Sequence, residues 1–331
     1  MIEGCSLLST FDLCVGYAKP NGEHLVLFRN LHLELREGKL VCLMGPNGVG
    51  KSSLLRTLAG LHQPLSGTIR YQNQPAPIER SVAVVLTERP RSALLRVEDL
   101  VSMGRYPYLN YWVHLSPHDK EVIRHAMAIT QTINLRNRHV DELSDGQYQM
   151  VMIARALAQE TPVILLDEPT AHLDLNNRVG IMNVLRQVAR AGKAVLVATH
   201  ELDLALQTAD EIWLTGFEKN IILGVPEDLV LDGVFDAVFQ FKGFDLKSGR
   251  VTHPSWRRLS IHLVGEGPEY LWTKNALERS GYRVTDSGHL TIRVVKNKDD
   301  NLWIAEPDKN FYTLRDLLVF LEHVEGSRKT G

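Results

Sequence analysis

Cysteine is scarce in this 331-residue chain: Cys5, Cys14 and Cys42 are its three, all near the amino terminus. Thiols so few and so clustered exclude a disulfide framework and suit a reducing cytoplasm. Charge of one sign is lacking as well, since 37 Lys and Arg against 39 Asp and Glu leave −2 at pH 7. A protein that neutralises many phosphates carries a basic excess or patch, so no nucleic acid is expected as a partner. Nowhere do about 18 apolar residues run uninterrupted, and no basic segment leads into an apolar stretch at the start. Neither a membrane span nor a secretion leader is expected, and any membrane role must come through a partner. Repeats, low-complexity tracts and sustained heptads are also missing. What is there is a 44% hydrophobic composition, enough for a substantial core, over a length that suggests two domains or one with an appendage.

Gly45-Pro46-Asn47-Gly48-Val49-Gly50-Lys51-Ser52 follows the apolar run 40–44, a buried-strand pattern. Glycine, four residues and Gly-Lys-Ser form the phosphate-binding loop motif. Gly45, Gly48 and Gly50 let the backbone turn tightly, so that N–H groups along the loop, Asn47 included, aim at phosphate oxygens. A helix starting near Lys51 adds the positive end of its dipole. Lys51 then belongs on the β- and γ-phosphates, Ser52 on magnesium, and Ser53 continues the site. The chain is expected to bind a nucleoside triphosphate.

Around this loop the patterns are those of an α/β protein. Strand-like pieces over 11–44, including 25–28 and 31–35, with turn signals at 21–22 and 37–38, predict an antiparallel sheet before the loop. A helix over 53–61, strands over 68–71 and 82–86, and a mostly helical stretch over 96–160 follow. Within that stretch Val122, Ile123, Ala126 and Ile129 after Ser116-Pro117 make one amphipathic helix, and a second spans 147–159. The apolar runs 163–166 and 194–198, separated by a helix over 177–191, are strands of a parallel sheet. After His253-Pro254 the composition changes, and strands over 258–264, 283–285, 290–295 and 302–304 with helices over 269–280 and 313–323 predict a small α+β domain. The charges over 296–300 are a solvated turn.

The strand 163–166 ends in Asp167 and Glu168. Adjacent acids after a strand can simply begin a loop. Beside a phosphate loop they can instead hold magnesium (Asp167) and orient the attacking water (Glu168). Between the two motifs lies Leu143-Ser144-Asp145-Gly146-Gln147, ahead of a helix. With it the chain resembles the ATP-binding cassette (ABC) transporter ATPases over residues 8–254. Ala171-His172-Leu173-Asp174 stands in the place of the D-loop, His200 in that of the switch histidine, and Tyr17 in that of the adenine-stacking aromatic. Taken alone, Tyr17 and His200 fit a structural role.

The resemblance implies a P-loop cassette over 1–254, with a parallel core sheet, an antiparallel N-terminal sheet and a helical subdomain over about 96–160, followed by the α+β appendage over 255–331. It implies ATP and magnesium as ligands, Glu168 and His200 at the γ-phosphate, and Asp167 and Ser52 at the metal. It also implies a head-to-tail homodimer in which Ser144, the Gly146 backbone and Gln147 complete the partner's site and Asp174 makes contacts across the interface. Transmembrane permease subunits, a substrate-binding protein reached through them, and a place at the cytoplasmic face of a bacterial inner membrane complete the picture. Gly104-Arg105-Tyr106-Pro107-Tyr108 and Asp174-Leu175-Asn176-Asn177 look like the importers of iron-siderophore, haem and cobalamin. The aromatics at 106, 108, 111 and 112 are either core packing or an apolar surface that grips a permease helix.

The chain departs from the family pattern in three places. The usual glutamine after strand 82–86 is replaced by Thr87 and Glu88, either of which can still reach the metal. Asp145 stands where glycine is usual, and either points at the partner's nucleotide or turns outward to support the helix start. Ser52-Ser53 replaces the more usual Ser-Thr. The appendage fits a ligand-sensing domain, a dimer-stabilising module or a spacer. A soluble ATPase clamp on another macromolecule, and a regulatory module with slow hydrolysis, remain alternatives to the transport reading.

Overall fold

A computed structural model describes residues 5–18, 23–72, 77–86, 95–109, 114–216, 218–241, 243–247, 249–251, 253–296, 301–307 and 309–327. Thr87, Glu88, Tyr111, Trp112, the turn at 21–22 and most of the charged turn at 296–300 therefore lie outside the described residues. The chain divides into two compact units, residues 1–240 and 241–331. No helix among the described residues is long and apolar enough to cross a membrane.

The first unit opens with β1 (Ser6–Ala18), β2 (His24–Leu31), β3 (Glu34–Arg36), β4 (Leu40–Met44), α1 (Lys51–Leu58), β5 (Ser66–Tyr71) and β6 (Val82–Val85). Three helices follow, α2 (Val97–Ser102), α3 (Pro117–Ile129) and α4 (Asp145–Ala158). It closes with β7 (Val163–Asp167), α5 (Leu175–Arg190), β8 (Ala194–Ala198), α6 (Leu202–Thr208), β9 (Glu211–Thr215), β10 (Ile221–Gly224), α7 (Pro226–Leu231) and α8 (Val234–Phe239). In the antiparallel sheet, β1 pairs with β2, β3 and β5. The second sheet runs β10-β9-β4-β8-β7-β6, parallel except for β10. Its central strands β4, β7 and β8 are buried along their whole length. That explains their unbroken apolar runs, because a strand covered on both faces has no polar side to show. Cys42 sits in this layer, and burial pushes its thiol up to about 12, which leaves it unreactive.

β1 is longer than its sequence pattern suggests, because register shifts at 11–15 and a left-handed Asp12 (φ 46°) break the alternation on which a period-two reading depends. α4 begins two residues before the predicted 147. Ser144 Oγ accepts from Gln147 N at 3.3 Å while Gln147 Oε1 accepts from Ser144 N at 3.2 Å, a capping box that makes Asp145 to Gln147 the helix's first turn.

The stretch 104–108 is chiefly a packing device. Arg105 is buried, with Nε donating to Asp119 Oδ1 at 2.8 Å and Nη1 to Glu160 Oε2 at 2.6 Å and the Ala158 carbonyl at 2.9 Å. It lies over the Tyr108 ring, whose hydroxyl donates to the Gln159 carbonyl. A side chain at Gly104 would meet the Arg155 carbonyl at 2.3 Å. Tyr106 alone of these residues is well exposed, so the stretch splits between the two readings of its aromatics.

The second unit carries a short hairpin, β11 (Phe244–Asp245) with β12 (Arg250–Val251), then β13 (Ser260–Val264), α9 (Gly267–Arg279), β14 (Arg283–Thr285), β15 (Leu290–Lys296), β16 (Asn301–Ala305), β17 (Lys309–Phe311) and α10 (Leu314–Ser327). Its sheet runs β14-β13-β15-β16-β17, parallel across the first three strands and antiparallel after them. Ile261, Leu277, Ile292, Leu317 and Leu321 are among the residues of its own apolar core. Arg257 ties the carboxy-terminal helix down, donating to Glu325 at 2.8 Å, Glu322 at 2.9 Å and the Ser280 carbonyl at 2.8 Å.

Beneath Arg257, Tyr282 is buried with a hydroxyl that has no hydrogen-bond partner among the described residues, and burial pushes it up to about 12. Removing an unsatisfied buried hydroxyl while keeping the ring should not destabilise the protein. Tyr282→Phe is expected to raise the unfolding midpoint slightly or leave it unchanged; a fall of several degrees would mean that the hydroxyl has a partner in solution.

Candidate functional site

The strand order builds the site. β4 lies beside β8 and β8 beside β7, so the three carboxyl ends deliver the phosphate loop, the segment carrying His200 and the Asp167-Glu168 pair to one edge. Ligands of parallel α/β sheets bind at that edge. A cleft of about 550 Å³ opens there, with Asn47, Gly48, Gly50, Lys51, Ser52 and Ser53 on its floor and Tyr17, Leu27, Glu168 and His200 around it.

The loop holds its shape through its own chain. Gly50 caps α1 at φ 111°, a conformation that a side chain would strain, and a Cβ at Gly45 would lie 2.3 Å from the Thr215 carbonyl of β9. Lys51 is buried and folds back, Nζ donating to the carbonyls of Gly45 at 2.8 Å and Pro46 at 3.1 Å. Burial pulls its ammonium down, against the pull of Glu168 and Asp167. Ser52 Oγ donates to Asp167 Oδ1 at 3.0 Å, and burial pushes the Asp167 carboxyl up despite that bond. Both groups are thus less comfortable charged than in water, and a polyanion beside Lys51 or a cation beside Asp167 would relieve them.

Glu168 has φ 47° and donates its N–H to the Ala198 carbonyl of β8 at 2.8 Å, a bend that turns its side chain off the strand toward the loop. His200 stands between two carboxylates, Nδ1 3.5 Å from Glu168 Oε2 and Nε2 3.7 Å from Glu201 Oε1. The Tyr17 hydroxyl is 2.7 Å from Ser53 Oγ and its ring meets His62 edge-on, yet 43% of the residue is exposed, so it is no core tyrosine.

Ser144, Gly146, Gln147 and Asp174 do not line this cleft. They gather elsewhere in the unit: Ser144 caps α4, Asp174 caps α5 through the Asn177 N–H, and Gly146 lies beneath the Asn177 side chain. Asp145 is exposed in the first turn of α4, where its charge suits the helix dipole. Thr87 and Glu88 lie outside the described residues. Sequence reasoning missed Leu27, which has no motif around it, and Glu201 and Arg178, which pair at 2.7 Å. Their nearness to His200 and Asp174 in sequence was the available signal.

Residues 28–171 match the family described as ABC transporter, and 258–322 match the iron ABC transporter C-terminal domain. The achromobactin transport ATP-binding protein of Dickeya dadantii is 34% identical over 70% of this chain and 87% of its own length. The cobalamin import ATP-binding protein of Halobacterium salinarum is 33% identical over 80% of this chain and 72% of its own. Among solved structures, a chain of an ABC transporter in an inward-facing conformation superposes with a TM-score of 0.63 at 30% identity, covering 71% of this chain and 90% of that one. With its phosphate loop, strand-end acids and histidine at one sheet edge, the chain belongs to the ATP-binding proteins of ABC transporters, a family of ATP-hydrolysing cassettes.

Proposed function

We propose that this chain hydrolyses ATP to power an importer of the iron-siderophore, haem or cobalamin class, acting with separate membrane-spanning subunits. The observation that carries the cargo class is the iron-type carboxy-terminal match over 258–322, in a chain whose relatives are named for achromobactin transport and cobalamin import. In this reading Tyr17 offers its exposed face to the adenine, the loop N–H groups and Lys51 take the phosphates, and Glu168 accepts the proton of the attacking water. His200, beside Glu168, donates to the γ-phosphate.

Ser52 and Asp167 fit a magnesium ion. Both are hard oxygen donors 3.0 Å apart, and the carboxyl is one that burial has made uncomfortable. Bound there, magnesium would neutralise charge developing on the phosphates. The chain's own part is to hold these two oxygens at the phosphate loop.

Two copies act head to tail. Ser144, Gly146, Gln147 and Asp174 are absent from their own chain's cleft, while Leu175 beside Asp174 is 67% exposed and Val179, one turn on, 38%. An apolar stripe of this kind next to polar cap residues suits a partner surface. The test is to purify the tagged chain from its native membranes in mild detergent and identify what accompanies it. A multi-helix permease is expected, with a substrate-binding protein reached through it. Recovery with soluble proteins only would overturn the importer reading.

A further inference from the structure

Resting on the dimeric reading above, we propose that Asn177 and Arg178, in the first turn of α5, are positioning residues that lock the start of α4, the D-loop and the switch segment into one block. The Asn177 side chain is held by Asp174, its backbone N–H donating to Oδ1 at 2.9 Å and its Nδ2 to Oδ2 at 2.8 Å. So held, the amide covers Gly146: a Cβ added there would lie 2.7 Å from Asn177 Cγ and 2.8 Å from its Oδ1. The amide cannot retreat without giving up its bond to Asp174, so Gly146 cannot shift toward α5 unless the D-loop cap yields as well. Arg178 makes the second tie. Its Nε donates to the Leu173 carbonyl at 2.6 Å and its Nη1 to Glu201 Oε2 at 2.7 Å, and Glu201 follows His200 directly. Charge-assisted bonds from one guanidinium to two separate loops fix the spacing between them.

Neither residue lines the cleft that would hold the chain's own nucleotide. Disturbing them should therefore leave ATP affinity alone and lower turnover, the pattern of a lost transition-state arrangement. The steric contact makes a sharper prediction. Gly146→Ala forces the first turn of α4 off Asn177 and should lower kcat about tenfold, but only about twofold in an Asn177→Ala background, since contacting residues couple by this order. Equal losses in both backgrounds would mean that the added methyl acts without passing through Asn177, and would overturn the proposal.

Hydrogen–deuterium exchange on the nucleotide-free full chain reads the mechanical link without any hydrolysis. Asn177→Ala should speed exchange at 145–149 as well as at 173–178, and Arg178→Ala at 173–178 and 199–202, with α1 unchanged in both. Exchange that rises only around the substituted residue overturns the link whether or not the chain hydrolyses ATP. An unsubstituted chain that binds ATP without turning it over would instead overturn the functional reading, with the exchange result still deciding the link.

Discussion

Glu168→Gln should hold ATP and turn it over about 10²–10⁴-fold more slowly than the unsubstituted chain, the range that removal of a general base spans. The substitution keeps the shape of a side chain that the left-handed bend at 168 and the bond to the Ala198 carbonyl already aim at the loop. It removes only the ability to accept a proton. Lys51 and its two carbonyl partners are untouched, so affinity for a nucleotide should persist and ATP should accumulate in the cleft. Retained label after gel filtration with radioactive ATP, together with phosphate release, checks both halves. A variant that hydrolyses at the ordinary rate would remove Glu168 from the chemistry and turn attention to His200, whose Nδ1 is 3.5 Å from Glu168 Oε2.

Arg105→Ala is expected to destabilise the protein by about 3–5 kcal/mol, because it strips the partner from a buried carboxylate rather than deleting a surface charge. Asp119 is 6% exposed and would stay behind without its guanidinium. Equilibrium denaturation measures the loss, and a double replacement, Arg105→Met with Asp119→Leu, should recover much of it, since an apolar pair leaves no stranded charge.

The same pair sets an acid limit. The Ser116 hydroxyl, with the Ser116 N–H and Arg105, holds the Asp119 carboxyl down to about 2. A folded-state value below the unfolded one gives stability that is complete above the ordinary carboxylate range and is lost as pH falls. The helical region should therefore weaken between about pH 4 and pH 2; Ser116→Ala should flatten that part of the profile most, and Arg105→Ala only in part, since the Ser116 bonds remain.

Much of this was legible in the chain, for identifiable reasons. The phosphate loop and the strand before it are local in sequence, and the buried runs at 40–44, 163–166 and 194–198 carry their burial openly in the absence of polar residues. The second unit's strands and helices after residue 257, separated by turns and with clear alternation, were readable to within a few residues; β11 and β12, two residues each, and β17, three residues long, were too short to leave a pattern. What could not be read was adjacency. That β8 inserts between β4 and β7, and so sets His200 beside Glu168, depends on its pairing with β4, a segment more than a hundred residues away. The Arg105 cluster was hidden in the same way, since nothing local distinguishes a buried arginine from an exposed one. β9, whose Thr215 backs Gly45, and β10 beside it carry no motif and went unread.

The cap at the start of α4 uses only half of what a hydroxyl can do. Ser144 Oγ spends lone-pair capacity on the Gln147 N–H and retains its own hydrogen. In the dimeric reading proposed above, helix start and anion would therefore draw on opposite ends of one O–H group and would not compete for it. An aspartate would end the helix as well as serine does but would have nothing to give a phosphate, and a lysine could give a proton but could not close the helix. Residues that are synonyms in the grammar of helix termini thus cease to be synonyms at this position: aspartate drops out, and the choice narrows to serine, threonine and asparagine, which carry both an acceptor and a donor.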